Sequence, residues 1–325
     1  PGVCDLLMKT MAPSTNFTDL HMPLCGIDKS TSFARQPRRQ APGGEYARTT
    51  PIGQNCRAFD PISNRARGGQ RAGLARYIDS RVNGVALLQE LRGITGVGYS
   101  APGGGVQLSQ SSRVVTLVAV SGGTVKVADA GAATWTLPTN GTTALNTTGI
   151  VLSAVNNQKL YFADGTSTKY YDPATNSVLT WSASAGSLPV NGGNYPRLIC
   201  TWRGRTVQSG ILTDPQNWFM SKQGDPNNWD YAPLSVSPQD AVAGNNSNLG
   251  QVGDVITGLV PFNDDWLFFG GDHSLWVMRG DPMAGGQIDR VSDAIGMAWG
   301  EAWCKDPYGA IYFVSNRLGI YRMVP

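Results

Sequence analysis

The sequence predicts a mainly β fold: a β-propeller of about five or more four-stranded blades, preceded by an extended, irregular N-terminal arm. Three observations carry that expectation. Strand-turn-strand units recur through the later two thirds of the chain, and they return at intervals near 45 residues. Gly and Pro, 40 and 20 of the 325 residues, supply the tight turns that many short strands require. The expected division is an arm over 1–110 and a propeller over 111–325.

Residues 1 to about 110 hold no sustained period of 3.6 or 2 and are broken by Ala-Pro, Gln-Pro and Pro-Gly-Gly. Two short pieces stand out, Val3–Met11 as a helical turn or strand and Val85–Leu91 as a strand or short helix. Between Arg35 and Arg92 lie eleven Arg and no Lys, against Glu45, Asp60, Asp79 and Glu90, so this stretch carries +7 in a chain of net charge +3 and leaves −4 for the rest. Guanidinium groups suit planar contacts with carboxylates and carbonyls as well as with phosphates. Three readings stay open for the arm: a solvated loop, contacts with a neighbouring subunit, or nucleic acid. For base stacking it offers only Phe33, Tyr46, Phe59 and Tyr77.

From Arg113 the character changes. VVTLVAV, Gly122-Gly123, TVKVADA and TWTLP form a three-strand set; IVLSAV and KLYFADGTSTKYYDPATNSVLTW follow, then LICTWRGRTVQSG and NWFMSKQGDPNNWDY. In VITGLVPFNDDWLFFGGDHSLWVMRGDP, two apolar runs flank Gly-Gly-Asp-His-Ser and predict a hairpin buried on both faces. AWCKD and GAIYFVSNRLGIYRMV make the fifth unit. Val115, Leu160, Arg205, Trp266 and Ile311 occupy comparable strands at intervals of 45, 45, 61 and 45, which one insertion of about 16 residues would explain. Trp135, Trp181 and Trp229 recur at 46 and 48. Asp-Pro at Asp60, Asp172, Asp214, Asp225, Asp281 and Asp306 marks expected strand ends, the carboxylate accepting nearby amides while Pro halts ladder pairing.

Chemistry is less legible, and no catalytic signature emerges; the chain is read as a non-enzyme with no cofactor and no metal. VADAGAATW (127–135) lacks the Ser of a sialidase-type Asp-box and has one residue too many before Trp. The carboxylates Asp264 and Asp265 are adjacent, so on a strand they would face opposite ways, and Asp289 with Asp293 is a second weak acid/base pair. His273 falls in a turn as a solvated ring. GITGVG (93–98) lacks the Lys-Ser/Thr of a phosphate loop, and Asp164-Gly-Thr-Ser-Thr lacks the carboxylates of a calcium loop. The dispersed Cys4, Cys25, Cys56, Cys200 and Cys304 point to reduced thiols. Charged residues make up only 15% against about 25% in ordinary soluble domains, which suggests a surface covered by other subunits. No apolar run reaches the roughly 20 residues of a membrane span.

FDPISNRARGGQRAGL (59–74) resembles an N-terminal segment of the tail-tube nozzle proteins (tail tubular protein B) of short-tailed bacteriophages, and PRLICTWRGRTVQSG, DPQNWFMSKQGDPNNWDY and the 240–282 stretch are similar to propeller regions of phage structural proteins. The likeness covers about residues 57–76 and 150–325. It implies a virion structural protein: a homo-oligomeric ring, a hexamer, at the end of the tail, through which DNA passes during ejection without sequence recognition. It also implies contacts with other phage tail proteins such as the adaptor and tail fibres, and assembly in the host bacterial cytoplasm. In such a ring Arg65, Arg67, Arg71 and Arg76 would be interface residues, with Gly68 and Gly69 permitting close backbone approach. The alternative is a glycan-binding or glycan-cleaving propeller using Trp202, Trp229 and Trp276 as sugar-stacking faces, with Trp181 and Trp266 as further candidates.

Overall fold

The structure, a computed structural model, describes residues 88–97, 113–129, 134–140, 145–306, 309–317 and 319–323, together with the backbone of four two-residue strands between residues 39 and 70. The chain divides into two compact units, Pro1–Arg76 and Tyr77–Pro325. In the first, β1 (Arg39–Gln40) pairs antiparallel with β2 (Tyr46–Ala47), and β3 (Cys56–Arg57) with β4 (Gly69–Gln70). The piece expected at Val3–Met11 lies outside the described residues.

The second unit is a five-bladed β-propeller. Its first blade comprises β5 (Leu88–Val97), β6 (Arg113–Ser121) and β7 (Thr124–Asp129). The second runs β8 (Leu152–Asn156), β9 (Lys159–Ala163), β10 (Thr168–Asp172) and β11 (Ser177–Thr180). A parallel pair, β12 (Ala185–Gly186) with β16 (Asn228–Trp229), ties the exit of the second blade to the third. That third blade holds β13 (Leu198–Trp202), β14 (Arg205–Ile211), β15 (Asp214–Met220) and β17 (Val242–Ala243). The fourth is β18 (Ile256–Pro261), β19 (Trp266–Gly271), β20 (Leu275–Arg279) and β21 (Gln287–Ser292), and the last is β22 (Trp303–Lys305), β23 (Ile311–Val314) and β24 (Ile320–Met323). Pairing within every blade is antiparallel. Among the described residues there is no α-helix, only a 3-10 turn at Gly244–Asn246.

The five residues that set the repeat, Val115, Leu160, Arg205, Trp266 and Ile311, each fall on the second strand of a blade: β6, β9, β14, β19 and β23. The long interval is also explained. Residues 221–241 separate β15 from β17, whereas 173–176 and 280–286 suffice at the corresponding connections of the second and fourth blades. The expected hairpin is β19–β20, and five of the six residues of β19 are buried.

Two expectations change. β5, drawn from the stretch assigned to the arm, belongs to the first blade, so a boundary at 110 would cut that blade between β5 and β6. Gly93, Gly96 and the charges at Glu90 and Arg92 dilute its alternation, which is why it read as arm. TWTLP is no full strand: Thr136 exchanges both backbone hydrogen bonds with Val127, after which Thr139 and Asn140 turn to pair with the edge of the second blade at Asn176 and Val178. Pro138, which lacks an N–H, stands where the chain crosses.

Sequence explains the tight hairpins. Gly122-Gly123, Asn157-Gln158 and Arg203-Gly204 connect β6–β7, β8–β9 and β13–β14, and all six residues have positive φ, the conformation of two-residue turns that match strand twist. Glycine is obligatory at Gly186 (φ 69°), where an added Cβ would lie 2.1 Å from the Trp229 carbonyl oxygen.

The cores lie between blades. One apolar cluster joins the first and second blades (Ile94, Val118, Leu160, Phe162), and a larger one the second, third and fourth (Trp181, Trp218, Trp229, Phe269). A third joins the fourth and fifth (Val260, Phe268, Val277, Phe313). Each such large apolar side chain contributes about 1.5–3 kcal/mol by leaving water.

Candidate functional site

The inner strands follow one another, β5 against β8, β8 against β13 and β13 against β18. After β21 the chain enters the last blade through Met297–Ala302, and this segment touches all four other blades. Met297 fills the space over Gly258 and Gly270 of the fourth blade, and its carbonyl accepts the Thr257 hydroxyl at 2.8 Å. The amide of Gly300 donates to the Thr257 carbonyl at 2.8 Å. Trp299 lies over Gly210 of the third blade, Gly300 faces Leu152 of the second, and Glu301 meets Arg92 of the first.

Where the segment leading into the last blade passes β5 and the start of β8, an open cavity of about 390 Å³ is lined by Leu88, Gln89, Glu90, Leu91, Ile150, Leu152, Trp299, Gly300, Glu301 and Ala302. Leu88, Leu91, Ile150 and Trp299 remain 37–56% exposed, so the rim is apolar and wet. Gln89 is committed to structure: its amide donates to the carbonyls of Asn146 and Gly149 and accepts the amide of Gly123. Two carboxylates remain, and among the described residues no basic side chain is part of the lining.

Behind the lining, Arg92 gathers the polar groups. Its Nη2 donates to Glu301 Oε1 at 2.5 Å and to the Ser153 carbonyl at 2.9 Å, and its Nε to Ser153 Oγ at 3.3 Å. Glu90 Oε1 stands 3.9 Å from Arg92 Nε and accepts the amide of Leu91 at 3.0 Å. Burial pushes the Glu90 carboxyl up to about 7 and Glu301 adds to the rise, while Arg92, the Leu91 amide and Ser153 hold it back. Near neutrality Glu90 is therefore poised between neutral and charged. Cys200, buried and free, has its thiol pushed up by burial and by Glu301, which makes it a poor nucleophile.

Of the expected interface residues, Gly69 opens β4, whereas Arg65, Arg67, Gly68, Arg71 and Arg76 lie outside the described residues. The tryptophans named for glycan stacking differ in exposure. Trp202 and Trp229 are buried, with indole N–H groups donating to the carbonyls of Asn263 and Pro226. Trp181 packs edge-on against Trp229 at 5.7 Å and donates to Asn227 Oδ1. Trp276 is half-buried beneath the Arg290 guanidinium, and Trp266 beneath that of Arg279.

Other candidate groups have structural partners. Asp265 meets Arg203, Asp289 meets Arg279, and Asp293 meets Arg290. His273 is 60% exposed beside Asp272. The carboxylate of Asp164 accepts the amides and hydroxyls of Thr166 and Ser167 and the amide of Asn146, leaving little capacity for a cation. Residues 93–97 are strand, so GITGVG forms no phosphate loop. Asp172, Asp225 and Asp281 each accept the amide two residues on, as expected of Asp-Pro turns, but Asp214 begins β15 instead.

Sequence reading missed Glu90, Arg92, Trp299 and Glu301 as a set. The available signal was slight: opposite charges two apart on a strand share a face, and Glu90 and Arg92 have that spacing. Nothing local connects them to Glu301, 209 positions beyond Arg92.

No protein-family profile matches the chain, and no curated protein sequence does. Solved structures similar to it include YCF48 bound to D1 peptide, at 9% identity and TM-score 0.43, over 70% of this chain and 68% of that one. The extracellular domain of BT4673 from B. thetaiotaomicron matches at 12% identity and TM-score 0.44, over 74% of this chain and 32% of that one. A chain of the Mitotic Checkpoint Complex matches at 11% identity and TM-score 0.37, over 74% and 87%. Likenesses this distant say nothing about ligand or partner. No helix among the described residues is long and apolar enough to cross a membrane.

Proposed function

We propose that the chain is a structural component of a bacteriophage virion tail, a nozzle or tail-tube ring built from several copies, part of the channel through which DNA leaves the particle. One observation carries this reading: a sequence with only 15% charged residues leaves large apolar side chains in water at separate places on the propeller unit. Leu234 and Val236 on the 221–241 excursion are fully and 76% exposed, and Ile320 on β24 is 74% exposed. Such surface is favourable when neighbouring subunits cover it. The arginine-rich stretch, with its likeness to nozzle proteins, supports the same role.

The experiment is imaging of native particles with mass measurement of the tail. A ring containing several copies of this chain is expected; a monomer absent from particles overturns the reading. Reversing Arg67 and Arg71 to Glu should block ring assembly and leave the propeller folded, as read by sedimentation and circular dichroism.

A further inference from the structure

We propose that the cavity between β5, the start of β8 and the Trp299–Ala302 segment is a docking site for an arginine side chain on a segment rich in small residues, supplied by a second copy of this chain. The lining offers the two halves of guanidinium recognition. Glu301, paired from behind by Arg92, supplies the more accessible carboxylate; Glu90, its side chain 9% exposed, lies deeper in the same lining, and Trp299, Leu91 and Ile150 supply apolar surface in water. A guanidinium is weakly hydrated, forks onto carboxylates and stacks on indole, so it satisfies both halves together. Glu301 already holds Arg92, yet its side chain stays 35% exposed, which leaves it open to a second donor.

Charge complementarity selects the occupant. The chain separates +7 in residues 35–92 from −4 elsewhere, so two copies present opposite signs to each other. Within the basic stretch, NRARGGQRAGLAR sets each arginine beside Ala or Gly, and small neighbours let the backbone approach a shallow groove. This assignment deepens the ring reading by naming what one protomer grips in the next. The chemistry of the groove stands without a virion.

Occupancy is coupled to protons. An incoming cation favours ionised Glu90, which is raised by burial and by Glu301 and opposed by Arg92, the Leu91 amide and Ser153. Binding therefore strengthens as pH rises from 6 to 8, and a proton is released.

The test uses the full chain carrying Arg65→Gln, Arg67→Gln, Arg71→Gln and Arg76→Gln, so that it cannot fill its own groove. The probe is a synthetic peptide of residues 62–76, followed by calorimetry and tryptophan fluorescence. One-to-one saturable binding is expected, lost when the four arginines of the peptide are replaced by Gln. On the protein, Glu301→Gln and the rim change Ile150→Ser should each weaken it by about tenfold or more, and Glu90→Gln should flatten its pH profile. No saturable binding, equal binding of the Gln peptide, or indifference to both groove changes overturns the site. If the unsubstituted chain is monomeric yet refuses the peptide, the groove is filled from within the same copy and the second-copy assignment falls. Absence of the protein from particles would remove the virion reading while leaving peptide binding intact, so the two proposals fail separately.

Discussion

The junction between the third and fourth blades, and the place where the segment entering the last blade meets the first, are held by opposite means. At the first, a continuous apolar cluster runs across the blades, and Arg205 is wholly buried within the seam. Its Nη1 donates to the carbonyls of Ser221 (3.0 Å) and Asp240 (2.5 Å), its Nη2 to that of Pro238 (2.7 Å), and Asp281 of the fourth blade stands 3.6 Å away. Ser221, Pro238 and Asp240 bracket the long excursion, so one guanidinium cinches the insertion and links it to the next blade. Arg203, at φ 51° in the adjoining turn, extends the network to the Asp264 carbonyl and to Asp281. At the second place no apolar cluster spans the first and last blades among the described residues, and an ion pair about one third exposed stands beside a groove. A repeat architecture can concentrate stability at some seams and leave another open for a partner.

The largest expected effect falls on the sealed seam. Burial pulls the Arg205 pKa down, and Asp281 and Asp240 work against that loss, so the guanidinium is a buried charge that depends on its partners. Arg205→Ala strands three carbonyls and takes one of two guanidinium groups away from Asp281, at a cost of about 3–5 kcal/mol. Urea unfolding reads this directly. A loss below about 1 kcal/mol would mean that the two junctions do not differ as described.

Next comes the proton dependence of the open seam. The folded Glu90 carboxyl lies near 7, above its ordinary 4.5, so the folded state holds the proton more tightly than the unfolded chain. That contribution is fully present below about pH 4.5 and is lost as pH rises through 7, by at most about 3 kcal/mol. Glu90→Gln should flatten the stability profile between pH 5 and 8 and raise stability at pH 8, measured by unfolding at each pH. An unchanged slope would show that Glu90 is solvated in the folded protein.

A smaller effect of opposite sign belongs to the fourth blade. Burial alone would raise Asp254, but the amides of His273, Val255 and Ser274 and the Ser274 hydroxyl outweigh it and hold the carboxyl below its usual range. Its stabilisation is present above about pH 4 and lost as pH falls through the lowered value. Asp254→Ala should cost about 2 kcal/mol at pH 7 by freeing the β19–β20 turn, and almost nothing at the most acid pH at which the protein stays folded. Equal losses at both pH values would place the effect in packing instead.

The contrast between the seams also explains what the sequence could reveal. Blade strands and turns are local: Gly122-Gly123 and Arg203-Gly204 announce their hairpins, and Asp172, Asp225 and Asp281 announce turns that the carboxylates do close. The spacing of Val115, Leu160, Arg205, Trp266 and Ile311 is legible because each blade repeats one plan. The groove is assembled from β5, the approach to β8 and the Trp299–Ala302 segment, which no short pattern unites. Arg205 marked the repeat correctly, yet nothing near it in sequence shows that its guanidinium would be buried among carbonyls 16 to 35 positions away. The tryptophans are ambiguous in sequence, since a residue suited to sugar stacking is equally suited to filling the space between blades.

The smallest expected effect is the most local. Arg92 and Glu301 are each about one third exposed, so Glu301→Gln should lower global stability by no more than about 1 kcal/mol, and by less in high salt. Its consequence should appear in hydrogen exchange. Among the described residues β22 and β23 have no buried guanidinium beside them and no apolar cluster toward the first blade, so loosening Glu301 should speed exchange of their amides and leave β13–β15 unaffected. If the amides of the third blade quicken in step, the propeller opens as one cooperative body. The groove would then owe its shape to the whole ring, and the ion pair would have no separate part in holding it.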